Sequence, residues 1–462
     1  MDVTVNVKPV YLNLVHSAVY EGPCRVGTTE TLSPEADKKR GWKAFNEFTE
    51  EIKSKITGPV RILEPVFLQW GDDFVLHGSE FKKLEADIYE ADLVLMTGGL
   101  LQYPAVRIAE MYGRPVGQIG WVTSVDITAN LRSRGMEGYA FLDFDHLNEY
   151  IAYFHVRKAF RNMRMMIGVE GATLPSVGVV SSILDLQSLE DRYGVTNTSV
   201  TAQRFVEMMD NLSDVDVAEV DTMTRELIEN AEACHMKEED VEPSVRFFVA
   251  VKKLLEKHEA NAFVIPCFEI CATQVMAERR VMFCLTHSLL KSMGIPSACE
   301  ADVNVLMSIA LLTFLGKKSV HMGNTMAIDR ENNILRVAHD VPGFKMHGFD
   351  EPDNPYELRN FTEGGWGATV RYDFARDTGT TVTLARFNPH GDKLLVATGE
   401  ITGSDGFDRI GCSMGAHVKL NDLRDFFEKQ MYFGHHMAMI YGDYSRALHY
   451  LGEIMGFEVV SS

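Results

Sequence analysis

The chain has little that would let it enter a membrane or hold a polyanion. Its longest apolar run, Val303 to Leu315, is too short to cross a bilayer and contains Asn304 and Ser308 near its start. Positive charge is in deficit, with 45 Lys and Arg against 65 Asp and Glu and a net charge of −20. That balance repels nucleic acid and anionic lipid alike, so neither is an expected partner. No GxGxxG follows any expected strand, which sets a dinucleotide aside. Cysteine is sparse: Cys24, Cys234, Cys267, Cys271, Cys284, Cys299 and Cys412 show no CxxC pairs of the zinc-site kind. They are expected to be reduced thiols, mostly buried. The first residues, MDVTVNVKPVYLNLV, have no basic segment ahead of an apolar core, so a secretory leader is not expected and a cytoplasmic location is.

What is present is an ordinary globular mixture, 46% hydrophobic and 24% charged residues over a length that suggests about three domains. Strand-like segments at Val10 to Val15, Arg61 to Glu64, Leu93 to Met96 and Pro115 to Ile119 alternate with helical patterns, which predicts a parallel sheet covered on both faces. The Thr97-Gly98-Gly99 turn closes one of these strands. A long helix is expected from His146 to Met166, with a boundary at Gly168-Val169-Glu170-Gly171 and a second α/β series opening at Pro175. The acid-rich run from Asp214 to Asp240 reads as solvated helix faces. Beyond Asn324, short strands at Ala368 to Phe374, Thr380 to Phe387 and Leu394 to Ile401 alternate with Gly and Asp, the pattern of an antiparallel domain. Two helical segments, Leu423 to Lys429 and Ser445 to Met455, close the chain. The expected fold class is therefore α/β: two tandem Rossmann-like domains with parallel sheets, 1–170 and 171–325, followed by a β-rich domain, 326–462.

The stretch from Ile295 to Thr325 organises the rest. A short segment ending at Glu300 and Asp302 precedes the apolar helix, and a strand-like piece ending at Asn324 follows it. Strand, helix, strand in that order predicts two parallel strands whose carboxyl ends share one edge, making Glu300 and Asn324 neighbours. Glu269, just past the strand Ala262 to Ile265, would face the same crevice. With His339 and His436, Glu300 and Asn324 form a set of oxygen and nitrogen donors suited to Mn²⁺, Co²⁺ or Mg²⁺. Taken singly, each histidine reads first as a core imidazole or an exposed loop residue rather than a ligand.

The ordered series CEADVN, an apolar helix, SVHMGNT, IDRENNILRVAHDVPGFKM, ELRNFTEGGWGATV, VTLARFN, LLVATGEI and GHHMAMIYGD resembles the L-fucose isomerase-like superfamily, which includes the L-arabinose isomerases. The resemblance covers roughly the last 200 residues. It implies that Glu300 is both a metal ligand and a catalytic base, and that Asn324 stands where the well-studied isomerases have an acidic catalytic ligand. It further implies that His339, and His436 or its neighbour His435, complete the metal shell. Asn324 is a departure, because an amide oxygen can ligate a metal yet takes no proton near neutral pH. Asp302, Glu269 or a metal-bound water would then share the proton shuttling near the substrate, and Trp366 or Tyr432 would meet the sugar face. The implied cofactor is a divalent metal, Mn²⁺ first, and the implied assembly a homo-oligomer, trimer or hexamer, with the first domain of one chain completing a neighbour's site.

Three functions follow as expectations. The first is a metal-dependent aldose-ketose isomerase, which needs a base above one carbon and a cation holding the neighbouring oxygens as an enediol forms. The second is an epimerase or lyase on the same scaffold, acting on a modified sugar or sugar acid, sulfonated sugars included. The third is a non-catalytic sugar-binding sensor built from the tandem α/β domains.

Overall fold

The computed structural model describes residues 3–23, 25–169, 176–272 and 274–462, in two compact units that divide after residue 158. The expected boundary at Glu170-Gly171 and the opening at Pro175 lie outside the described residues, as does Cys24.

The first unit is a parallel sheet of β1 (Val5–Leu14), β2 (Val60–Ile62), β3 (Val66–Trp70), β4 (Leu93–Gly98), β5 (Val116–Ile119) and β6 (Gly138–Phe141). Its order is β2-β1-β4-β5-β6, and β3 continues the β2 edge against the far end of β1. Val5, Val7, Val10 and Leu12 of β1 and Leu93 to Met96 of β4 are buried, as expected of strands covered on both faces. The first strand starts five residues earlier than expected, because Val5 and Val7 alternate with polar neighbours and take up the β2 register. Gly98, at φ +127°, lets the Gly99 N–H donate to Leu12 O at 3.1 Å; any Cβ there would run into that carbonyl.

The helix expected to reach Met166 ends at Arg161 (Phe144–Arg161), and the residues after it form β7 (Arg164–Ile167). Met165 and Met166 are fully buried in that strand, whose neighbours are β8 (Thr196–Ser199) and β10 (Ala262–Val264). Methionine suits either element, so periodicity alone misassigns such a run. With β11 (Ser297–Ala298) these make a parallel sheet of order β11-β10-β7-β8. Residues 176–180, expected to open a strand, form turns. The acid-rich run is two helices, Asp214–Glu229 and the start of Glu238–Lys257, separated by β9 (Ala233–Cys234), and it buries Asp216 and Asp240 within ion pairs to Lys253 and Arg280.

The β-rich part of the second unit closes on itself. Strands β12 (His321–Asp329), β13 (Ile334–Ala338), β16 (Thr381–Phe387), β17 (Lys393–Asp405), β18 (Gly415–Leu420) and β19 (His436–Tyr441) pair antiparallel in the ring β16-β19-β12-β13-β18-β17, and β17 returns to β16. β20 (Glu458–Ser461) lies parallel to β17 outside the ring. A small sheet joins β9 to the hairpin β14 (Glu357–Asn360) and β15 (Ala368–Arg371).

One sequence expectation fails here in an instructive way. β12 is not the parallel partner of β11: it belongs to the barrel and runs antiparallel to β13 and β19. The Val303–Gly316 helix is the connection between the two sheets, apolar on every face and buried from Val303 to Phe314. It packs on β10 and β11 and also on β12, β16 and β19. Two of its polar residues are stitches. Asn304 accepts from Ile183 N at 2.6 Å and donates to Phe387 O at 3.0 Å, and Ser308 Oγ accepts from Phe387 N at 2.9 Å. The expected boundary at 325 therefore falls inside β12, and residues 159–462 make one compact unit.

Candidate metal centre

Glu300 sits in the turn between β11 and the Val303–Gly316 helix, where Glu300 and Ala301 hold φ values of +58° and +49°. Left-handed backbone at two successive side-chain-bearing residues costs free energy and persists only where its surroundings over-determine it. They do so here. Ala301 N–H donates to Ile265 O at 3.0 Å, and Ser182 Oγ donates to Ala301 O and accepts from Val303 N, both at 3.1 Å. The outcome is a carboxylate, 7% exposed, turned inward off a rigid corner.

Two fully buried imidazoles meet it. His339 follows the last residue of β13 and places Nε2 at 3.3 Å from Glu300 Oε1. His436 opens β19 and places Nε2 at 3.8 Å from the same oxygen, with the two rings 5.6 Å apart. One ligand atom from each of the three residues falls within 4.8 Å of the others, and no second such group of His, Cys, Asp and Glu occurs among the described residues. His436 Nε2 and His339 Nδ1 are buried without a hydrogen-bond partner.

Asp302 explains the orientation of His436. One carboxylate oxygen caps the helix, accepting from Val305 N at 3.2 Å; the other takes Arg386 Nη1 at 2.6 Å and His436 Nδ1 at 2.9 Å. A carboxylate on Nδ1 makes that nitrogen the proton carrier, so the Nε2 lone pair is directed at Glu300. Burial disfavours the Asp302 charge, but Arg386 and then His436 outweigh it and hold the group well below the usual carboxylate range. Burial also lowers His436, against the pull of Asp302, so that ring is neutral. Glu300 is lowered too: burial opposes its charge, and His339 and His436 overcome that. His339 moves the other way, raised well above the ordinary histidine value by Cys412 and Glu300 in spite of its burial.

The expected site residues separate into two groups. Glu300, His339 and His436 converge. Asn324, half-buried in β12, is registered directly between Ala338 and His436 on the neighbouring strands, so its side chain shares the His436 face. Asp302 is adjacent, yet it is fully buried with both oxygens engaged, and it faces the protein interior rather than a ligand. Glu269 is occupied as well: it accepts from Val177 N at 2.5 Å and Ser176 Oγ at 3.2 Å, tying down the segment whose Gly178 lies against Glu300. A Cβ on Gly178 would sit 2.8 Å from Glu300 Oε2. Trp366 belongs to the turn of the β14-β15 hairpin, where its N–H and C=O both bond to Thr362. His435, lowered to about 4 by burial and then by His436, lines a cavity of about 800 Å³ with Thr325, Phe426 and Met431. That cavity is not lined by Glu300, His339 or His436.

Sequence reasoning missed the supports. Arg386 and Arg371 are the largest fully buried side chains of the described residues, paired with Asp302 and with Asp340, the neighbour of His339. The one signal was an arginine inside the apolar strand pattern VTLARFN, a position that tolerates charge only with a partner. The thiols were misjudged too: Cys284 and Cys299 are buried, but Cys234, Cys267 and Cys271 are only partly so, and Cys412 is exposed in a loop where nothing in the sequence marks a strand.

No protein-family model matches the chain, and no curated protein matches it. Among solved structures, it is similar to a solute-binding protein of an ABC transporter from Burkholderia multivorans, whose unknown ligand was built as alpha-D-erythrofuranose. The identity is 11% over 60% of this chain and 84% of that one, with a TM-score of 0.17, at which the likeness carries no argument. No helix among the described residues is long and apolar enough to cross a membrane.

Proposed function

We propose that the chain is a divalent-metal-dependent enzyme that isomerises an aldose and a ketose through an enediol. The observation that carries the reading is the convergence of Glu300, His339 and His436 on one buried point, with the His436 Nε2 lone pair aimed at it and unpartnered. A carboxylate with two imidazoles suits borderline divalent ions, Mn²⁺ or Co²⁺ before Mg²⁺. The resemblance of CEADVN, SVHMGNT and GHHMAMIYGD to the fucose and arabinose isomerases supports the same residues in the same roles.

When bound, the ion would polarise the substrate's adjacent oxygens and accept the negative charge that develops on them. Glu300 would hold it through one oxygen, and His436 and His339 through nitrogen. The remaining work falls to the chain. Glu300 stays ionised because its neighbours depress its pKa, so its second oxygen is free to take a proton from one carbon and return it to the next. Asp302 and Arg386 keep His436 in one tautomer, which fixes the geometry without consuming a ligand atom. Asn324, beside His436, orients an oxygen without exchanging a proton.

One observation favours a second reading. Glu300 has no carboxylate partner in the donor group, so an enediolate reaction that needs a single base, epimerisation or carbon-carbon cleavage of a modified sugar or sugar acid, fits the same residues. Elemental analysis of the purified protein, followed by chelation, Mn²⁺ reloading and product analysis on aldoses, sugar acids and sulfonated sugars, tests both. Chelation should abolish turnover and lower the melting temperature, and Mn²⁺ should restore both. Sugar binding that persists unchanged without metal would replace this reading with a sensor.

A further inference from the structure

The two oxygens of Glu300 have different neighbours. Oε1 meets His339 Nε2 and His436 Nε2, at 3.3 and 3.8 Å. Oε2 meets a strap formed by residues 176–182, where a Cβ on Gly178 would lie 2.8 Å from Oε2 and 2.9 Å from the Phe268 ring. Only a glycine lets the strap come this close. The strap crosses the carboxyl edge of β10 and β11, whose parallel pairing of Val264 with Ala298 brings the segments carrying Glu269 and Glu300 side by side. That is the edge on which open α/β sheets hold their ligands.

The strap is fastened differently along its length. Its far part is built into the molecule: Val179 is fully buried, Ser182 Oγ bonds to Ala301 O and Val303 N, and Ile183 N–H donates to Asn304 Oδ1 at 2.6 Å. Its tip is held by one carboxylate. Val177 N–H donates to Glu269 Oε1 at 2.5 Å and Ser176 Oγ donates to Glu269 Oε2 at 3.2 Å, while Gly178 N–H donates to that same Ser176 hydroxyl at 3.3 Å. The Val177 side chain is 73% exposed, so it adds little packing to these bonds. Water can take the place of hydrogen bonds at a surface, whereas nothing replaces the burial of Val179. The tip is therefore the part that lifts, and Val179 is the pivot.

We propose that residues 176–178 are a gate over Glu300 and that Glu269 is its latch, the tip lifting about Val179 to admit substrate to Oε2. The gate rests on the proposed function, in which Oε2 is the oxygen that takes and returns the proton. A group that exchanges a proton with a carboxylate must come within roughly 3 Å of it, and on this side of Oε2 that space belongs to Gly178. The close contact is with Oε2, not with the oxygen that meets the histidines, so the gate regulates the substrate and not the ion. Glu269 is then a positioning residue. It touches neither substrate nor metal, and it sets how often Oε2 is uncovered.

The experiment uses the full chain and two readouts that need no metal. The first is amide hydrogen exchange of the strap, followed by peptide mass spectrometry. The second is the rate at which iodoacetamide labels position 300 in Glu300→Cys, located by fragment-ion sequencing. Adding Glu269→Ala should raise both by about tenfold or more, the effect of losing bonds to a charged acceptor. Glu269→Gln keeps an acceptor for Val177 N–H and should raise them less. Gly178→Ala, whose Cβ has no room against Glu300 and Phe268, should raise the exchange with Glu269 intact, which keeps the test open if the Glu269 variants fold poorly. Unchanged exchange in Glu269→Ala would show that Glu269 is no latch. Faster exchange with unchanged labelling at position 300 would show that the tip covers nothing, and either result overturns the proposal. Mn²⁺ affinity in Glu269→Ala, with Glu300 in place, should stay within about threefold of wild type; a larger loss would place Glu269 in support of the ion and overturn the gate. If the wild-type protein binds no Mn²⁺, the proposed function fails, while exchange and labelling still decide the gate.

Discussion

His339 and His436 are both fully buried, both face Glu300 Oε1, and each has an aspartate close by that pairs with a buried arginine. Only one of the two is backed. Asp302 spreads its bonds over both oxygens and gives one of them to His436 Nδ1. Asp340 gathers Arg371, Ser413 N and Met414 N on one oxygen, leaves the other unpartnered, and makes no bond to His339. Burial accordingly pushes Asp340 up to about 7 in spite of Arg371, whereas Asp302 stays charged. Asp302 thus holds His436 as a preorganised ligand, whereas His339 has no such bond and, against its burial, is raised above the ordinary histidine value by Cys412 and Glu300. His436 is ready for a metal; His339 must first give up a proton.

The largest effect is expected where both sides of this comparison meet. Glu300→Gln removes charge and basicity with little change in volume, and it should cost at least ~10²-fold in turnover with Mn²⁺ affinity falling in parallel. Wild-type turnover in this variant would break the assignment of the centre. The two aspartates sharpen the contrast. Asp302→Asn should weaken Mn²⁺ binding by about 10- to 100-fold, because His436 loses the partner that fixes its tautomer. Asp340→Asn should change it much less, by under about threefold, since it does not touch His339. Calorimetric titration of the two variants side by side checks this, and equal losses would show that the backing carboxylate is not what distinguishes the histidines.

A pH series separates the histidines next. His339 is raised in the folded protein above its unfolded value of about 6.5, so it contributes stability that is fully present below that pH and is lost as pH rises through the folded value. Metal binding runs the opposite way, because the ion displaces the proton and its association constant should climb by up to about tenfold per pH unit until His339 is neutral. The metal-free melting temperature should therefore fall with rising pH through this window while Mn²⁺ affinity increases. Titrations in buffers of different ionisation enthalpy should count close to one proton released. A pH-independent affinity would mean that His339 is neutral before the metal arrives.

Much of this was legible in the chain, and the failures have a common cause. The parallel first sheet, the apolar Val303–Gly316 helix, the antiparallel third portion and the donors Glu300, His339 and His436 all follow from local patterns or from the motif series. The strand-helix-strand reading of Ile295 to Thr325 failed because β12 carries the same alternation whether it joins a parallel sheet or a barrel, and the choice is made by β13 and β19, far away in sequence. Asn324 still arrived beside the site, but opposite His436 rather than along a shared edge with Glu300. The carboxylates of Glu269 and Asp302 are engaged by protein donors. Whether a carboxylate faces a ligand or accepts from Val177 N or Arg386 depends on partners 92 and 84 residues away, which no spacing rule contains.

The smallest effect concerns Asn324, the neutral residue registered beside the preorganised histidine. If its amide oxygen joins the metal shell, the first-shell protein charge comes from Glu300 alone, and the ion keeps more of its pull on substrate oxygens. Asn324→Asp adds a second negative charge at a half-buried position. It should tighten Mn²⁺ binding by about fivefold, equivalent to ~1 kcal/mol for a partly screened charge, and lower turnover by weakening polarisation of the substrate. A rise in turnover would instead show that the native site lacks a proton acceptor. Affinity and turnover should be measured on one preparation. Unchanged affinity would place Asn324 outside the metal shell, as a β12 residue whose half-buried amide serves only the barrel edge beside His436.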